Sequence, residues 1–165
     1  HGIMLKGPLH YQGIIRVPFL WMDPDSPDSG TRCDAVSGTL DIARTVLARA
    51  NLAPFNGMQG MDLSALTRGE IGRRDGMLIE QDAQRANFHF DGPFRARSYV
   101  TQRWRLSRYT GSDFAELYDL HNDPLEMNNL WTDPDHAPVR AELSEAMVMA
   151  LIASQESSPL PTDFA

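Results

Sequence analysis

Between residues 95 and 120 the chain alternates β-prone runs with one sharp break. Residues 98–102 and 103–109 read as two strands with a bend between them. Thr110-Gly-Ser-Asp113 reads as a hairpin turn, and residues 114–120 read as the returning strand. Strands joined this tightly lie side by side as an antiparallel meander, and such a sheet needs cover on its apolar face. A closing helix follows at 138–153. Val139, Leu143, Met147 (or Ala146), Ala150 and Leu151 repeat at helical spacing along it, and Pro138 suits its first turn.

The first half of the chain has a different rhythm. Residues 2–13 read as a Gly/Pro-rich loop and residues 14–21, apolar and partly β-branched, as a strand with Pro18 near its end or edge. A turn-rich acidic stretch, 23–31, leads into a helix over 37–50. Leu40, Ala43, Leu47 and Ala50 make one apolar face on it, and Asp34 or Ser37 is placed to cap its start. A helical turn is expected at 62–66 and a strand at 76–81, whereas 122–131 reads as a polar loop. One strand-to-helix step followed by a hairpin-rich end describes an α/β or α+β piece without choosing between them.

Composition removes several classes of function. A net charge of −7 over 165 residues argues against a nucleic-acid partner, whose phosphates are met by clustered Lys and Arg. No apolar run approaches the length of a membrane-spanning helix. Cys33 is the only cysteine, so the chain has neither an internal disulfide nor a thiolate zinc site. Compartment stays open, cytoplasmic or periplasmic.

Four segments, in order, resemble a sulfatase of the alkaline phosphatase superfamily, of the formylglycine-dependent, arylsulfatase-like kind. The first is His1-Gly2, then Lys6-Gly-Pro-Leu-His10-Tyr11, then Arg16-Val17-Pro18. The second runs from Val36-Ser37 through Leu40-Asp41-Ile42-Ala43 to Gly57-Met-Gln-Gly60 and Asp62-Leu63. The third is Leu78-Ile79-Glu80 with Arg103-Trp104-Arg105-Leu106. The fourth is Glu116-Leu117-Tyr118-Asp119-Leu120, Asn122-Asp123-Pro124, Glu126 and Asn128-Asn129-Leu130. The first and fourth are the most specific.

The resemblance implies that the chain begins partway through a longer hydrolase. Similar proteins place two Asp-His-Gly units just before the lysine loop, and His1-Gly2 resembles the end of the second. The resemblance therefore puts the ligands of a divalent cation, expected to be calcium, upstream of this chain, with no metal ligand inside it. The Cys-x-Pro/Ala-x-Arg motif, whose cysteine becomes formylglycine, would lie further upstream; Cys33, in Thr31-Arg-Cys-Asp-Ala-Val, does not fit it. Lys6 matches the lysine that contacts the substrate sulfate and the bridging oxygen, and is the expected catalytic and substrate-binding residue. A solvated loop lysine is what composition alone would suggest. His10 is the second candidate for substrate binding, and could equally fix the loop through a backbone carbonyl. Tyr11 is expected to pack the loop onto the sheet.

Other patterns carry less. Asp23, Asp25, Asp28 and Gly30 have the wrong spacing for an EF-hand and read as an exposed acidic turn. Arg95, Arg97, Arg103, Arg105 and Arg108 are expected to be mostly solvated, with one or two facing an active-site mouth. Arg16 is expected to snorkel at the surface, with pairing to an internal carboxylate as the alternative. Asp119, Asn122 and Asp123 suit tight-turn hydrogen bonding.

The expected fold is α/β. Residues 1–94 form the C-terminal portion of an alkaline-phosphatase-like sheet domain, 95–156 a small antiparallel sheet with a closing helix, and 157–165 a frayed tail. The implied parent is a sulfuric ester hydrolase acting on a small sulfate ester. The partner of this chain would be the N-terminal part of the same protein, and the chain by itself would be inactive. A phosphonate or phosphate monoester hydrolase of the same superfamily, or a non-catalytic scaffold module, are the alternatives.

Overall fold

A computed structural model describes residues 9–27, 30–84, 91–155 and 157 of the chain. The chain divides into two compact units, His1–Leu20 with Asp75–Ala150, and Trp21–Arg74 with Leu151–Ala165.

The first unit is built on a four-stranded antiparallel sheet of β1 (Gly76–Ala83), β2 (Phe94–Thr101), β3 (Trp104–Tyr109) and β4 (Ala115–Asp119), in that spatial order. The expected meander is present. β1 lies before residue 94, yet it pairs along its whole length with β2, from Gly76 opposite Thr101 to Ala83 opposite Phe94. Gly76 is required there: a β-carbon would stand 2.5 Å from the Tyr99 ring. The bend between β2 and β3 is set by Thr101, whose Oγ1 accepts from the Trp104 backbone N–H at 2.8 Å. The turn into β4 uses Gly111 at φ +74°, a left-handed conformation that favours glycine.

Alternation along the strands gives the sheet two contrasting faces. Tyr99, Leu106 and Leu117 are register partners on one face, and all three are buried. Trp104 and Arg108, which share that face of β3, meet His136 and Trp131 respectively, with 6.0 Å between the Trp104 and His136 rings and 4.8 Å from Arg108 to the Trp131 ring. A 3-10 turn at Pro134–His136 leads into α4 (Ala137–Ala153), which buries Leu143 and Met147 of its expected stripe. The other face carries Ser98, Arg105, Ser107, Glu116 and Tyr118, with Phe94, Ala96 and Tyr109 at its apolar end.

The strand expected at 14–21 does not form. Gln12–Ile15 make one helical turn (α1), with the Ile15 N–H donating to the Tyr11 carbonyl at 3.0 Å. Residues 16–22 continue without secondary structure and largely exposed, Arg16 among them. The apolar, β-branched composition suited a strand, but among the described residues no strand of the sheet lies beside this segment, and the turn starts at Gln12, whose backbone N–H is bonded to the Glu126 carboxylate.

The second unit holds α2 (Leu40–Arg49) and α3 (Leu63–Thr67). Neither Asp34 nor Ser37 caps α2. Its N-cap is Thr39, which makes no side-chain cap bond, and Asp41 inside the first turn accepts from the Gly38 N–H at 2.8 Å. Asp41 is fully buried and also accepts from the Met61 N–H at 2.8 Å and from Arg74 Nη2 at 2.6 Å. One carboxylate therefore gathers the helix start, the loop before α3 and the end of the unit. Thr45, one turn on, accepts from the Leu63 N–H at 3.0 Å. The inner side of α2 is thus polar, and Leu40, Ile42 and Val46 are exposed among the described residues. Asp62 caps α3 through the Ser64 N–H at 2.9 Å.

Candidate functional site

Lys6 lies outside the described residues. What the structure does describe is how the chain just after it is held. Leu9, His10 and Tyr11 meet one face of the sheet, and Gln12 meets the loop after β4. Leu9 packs on the apolar cluster of Phe94, Ala96 and Tyr109. His10 Nδ1 lies 2.8 Å from Ser98 Oγ, which in turn lies 2.6 Å from Ser107 Oγ. The Tyr11 ring stands 4.9 Å from the Arg105 guanidinium carbon and edge-on to Tyr118 at 6.2 Å. The Gln12 N–H donates to Glu126 Oε2 at 2.6 Å. Tyr11 does pack its segment onto the sheet, as expected.

Arg105 is the centre of this arrangement, and sequence reasoning missed it. Expected among mostly solvated arginines, it has no exposed surface at all, and neither does Glu116. Its Nη1 donates to Glu116 Oε2 at 3.0 Å and to Ser107 Oγ at 2.5 Å, and its Nε donates to Glu126 Oε1. Among the described residues its Nη2 has no hydrogen-bond acceptor; Tyr11 and Tyr118 flank the guanidinium at 4.9 and 4.8 Å instead. Glu116 also accepts from the Tyr109 hydroxyl at 2.6 Å. Arg97, by contrast, pairs with Glu80 and Asp82 near the surface, and Arg103 pairs with Asp119 while remaining half exposed. The buried polar face is a case of charges taken out of water only because they are paired and hydrogen-bonded.

The electrostatics follow from that burial. Burial opposes the Arg105 charge, but Glu116 and Glu126 outweigh it and hold its pKa above the ordinary value. His10 goes the other way. Desolvation first, and the neighbouring Arg105 second, lower it to about 4, with Glu116 opposing. His10 is therefore neutral at pH 7, and any contact it makes there is a hydrogen bond rather than an ion pair. Nδ1 is engaged by Ser98. Tyr109 and Tyr118 are raised, by burial and then by Glu116, and stay protonated.

The turn after β4 behaves as its composition suggests. Asp119 accepts from Arg103 Nη2 at 2.8 Å, from the His121 N–H at 3.1 Å and from Asn122 Nδ2 at 2.9 Å, and these bonds, Arg103 foremost, bring its pKa down to about 2. Asp123 accepts from the Met127 and Asn128 N–H groups at 3.0 and 2.8 Å. Asp23 and Asp25 both pair with Arg49 on the surface of the other unit, while Asp28 lies outside the described residues. Among the described residues no three His, Cys, Asp or Glu side chains converge as they would around a cation. No described helix is long and apolar enough to cross a membrane.

Comparison with known proteins places this architecture. Residues 1–153 match the family described as N-sulphoglucosamine sulphohydrolase, C-terminal. An uncharacterized sulfatase of Escherichia coli (strain K12), YidJ, is 28% identical over 152 residues, covering 90% of this chain and 28% of that protein. A Δ4,5-hexuronate-2-O-sulfatase of Bacteroides thetaiotaomicron is 25% identical over 144 residues, covering 86% of this chain and 30% of that protein. Among solved structures, a phosphonate monoester hydrolase of Agrobacterium radiobacter superposes with a TM-score of 0.71 at 23% identity, covering 87% of this chain and 30% of that one. The chain thus spans under a third of the length of the proteins it matches. With a four-stranded antiparallel sheet, a closing helix and a family match over nearly its whole length, the chain belongs to the N-sulphoglucosamine sulphohydrolase C-terminal family of the sulfatases.

Proposed function

We propose that this chain is the C-terminal part of a sulfuric ester hydrolase, and that the longer protein cleaves sulfate monoesters to an alcohol and inorganic sulfate. The observation that carries the reading is the family match over residues 1–153, which includes the run from Lys6 to His10. In this reading the formylglycine nucleophile and the ligands of a divalent cation, calcium by analogy, come from outside the chain. The cation would polarise the sulfate oxygens.

Lys6 supplies a positive charge. When the S–O bond breaks, negative charge builds on the bridging oxygen, and a fixed ammonium beside it lowers the barrier most where water is scarce. Lysine suits this as a compact point charge on a flexible stem. His10, neutral and buried against Ser98, contributes by fixing the loop and, through Nε2, by hydrogen bonding to substrate. The substrate is a small sulfate ester; the hexuronate sulfatase among the relatives makes a sulfated sugar acid a sensible first panel.

The test is kinetic. The longer protein should turn over an aryl sulfate, and Lys6→Ala should lower kcat/KM about 100- to 1000-fold, the usual cost of removing one group that stabilises developing charge. The isolated chain, with calcium added, should show no turnover. A second reading rests on the likeness to a phosphonate monoester hydrolase. Under it an aryl phosphonate monoester would have a higher kcat/KM than the matching sulfate, and that outcome would displace the sulfatase reading.

A further inference from the structure

Glu126 adopts φ +55°, a left-handed backbone conformation that glycine or asparagine occupies more easily. It is also 2% exposed, in a loop whose neighbours Leu125 and Met127 are well exposed. A costly backbone and a buried carboxylate at one position indicate that the side chain is needed where it is.

What the side chain holds is informative. Oε1 accepts from Arg105 Nε, and Oε2 accepts from the Gln12 backbone N–H at 2.6 Å. Neutralising Arg105 does not require it, because Glu116 already pairs with that guanidinium at 3.0 Å. With Glu126 added, the buried group contains one guanidinium and two carboxylates, a formal excess of negative charge. Just as the Tyr109 hydroxyl answers that excess at Glu116, the Gln12 N–H is the donor that answers it at Glu126. Because that donor is main chain, the bond fixes the path of the backbone and not merely one side chain.

We infer that Glu126, aimed by Arg105, is a positioning residue for the run that carries Lys6, an inference that rests on the lysine role proposed above. His10 and Gln12 are four and six residues beyond Lys6. Four residues span at most about 14 Å even when fully extended. The anchor therefore limits how far from it the ammonium can lie. Misplacing a reacting-site group by about 1 Å can cost on the order of 100-fold in rate.

Glutamine at position 126 puts an NH2 donor where one carboxylate oxygen now accepts, so either the Gln12 N–H or the Arg105 Nε–H faces a donor. The test is a double-mutant cycle in the longer sulfatase, read as kcat/KM on an aryl sulfate. Glu126→Gln should cost roughly 10- to 100-fold where Lys6 is present, and less than about threefold in the Lys6→Ala background. Glu126→Asp, which keeps the charge but shortens the reach, should fall between wild type and Glu126→Gln, and the same cycle is read on it if Glu126→Gln gives no cooperative melt. An equal loss in both backgrounds would mean that Glu126 acts on the fold at large and would overturn the inference alone. Unchanged kcat/KM for Lys6→Ala by itself would remove the lysine role and overturn both.

Discussion

At their centres the two faces of the four-stranded sheet are equally dry and chemically opposite. Leu106 and Leu117 on one face, and Arg105 and Glu116 on the other, all have 0% exposure. The apolar face gains stability from every methylene it removes from water. The polar face gains little, because desolvating one arginine and two glutamates consumes most of what their attraction returns. Its bonds are directional, however, and they end on a particular backbone N–H at Gln12. The difference teaches a division of labour. One face holds the sheet together, and the other fixes where a single segment of chain must lie.

Substitutions can break that comparison. Arg105→Ala should be the most damaging, about 3–5 kcal/mol by urea denaturation, because it strands Glu116 and Glu126 as buried carboxylates. Leu117→Ala should cost about 3 kcal/mol from lost burial and the cavity left behind. If the two orders were reversed, the polar face would be more hydrated than its geometry indicates.

Acid should act on the polar face first. Folded His10 holds its proton only below about pH 4, whereas the unfolded residue takes one up near pH 6.5. The unfolded state thus binds more protons between those values, and stability falls as pH drops through that window, by up to about 3 kcal/mol. His10→Gln should flatten the slope of stability against pH between 6.5 and 4, leaving the apolar face unaffected. An unchanged slope would show that the imidazole is not held neutral.

Smaller effects sharpen the picture. Tyr109→Phe removes one donor to Glu116, which keeps Arg105, and should lower stability by about 1–2 kcal/mol in the same denaturation assay. Arg103→Ala should have the smallest effect on the melt, since Asp119 keeps its bonds to His121 and Asn122. Its main consequence should be a rise in the Asp119 pKa from about 2, visible in a carboxylate NMR titration.

Much of the sheet was legible because its signals are local. The Thr110–Asp113 turn and the alternation of β3 and β4 need no distant partner to be recognised, and the stripe of α4 needs only its own spacing. Residues 14–21 misled for the complementary reason: β-branched residues signal a strand only where a neighbour is available, and this segment pairs with none of the four described strands. Arg105 was legible in principle. The hairpin places Tyr118 opposite it and Glu116 opposite Ser107, so an arginine, a serine and a glutamate fall on one face. The cue overlooked was that both charges alternate with Leu106 and Leu117. Glu126 was not legible, because its role depends on a left-handed loop backbone and on a donor 114 residues away.

The amide hydrogen of Gln12 tests the central claim most directly. If a buried carboxylate on Arg105 anchors this segment, that amide should exchange with deuterium as slowly as those of β3, and Glu126→Gly, which relieves the backbone while removing the carboxylate, should release it. Exchange at the rate of an unstructured peptide in the unmodified chain would contradict the account.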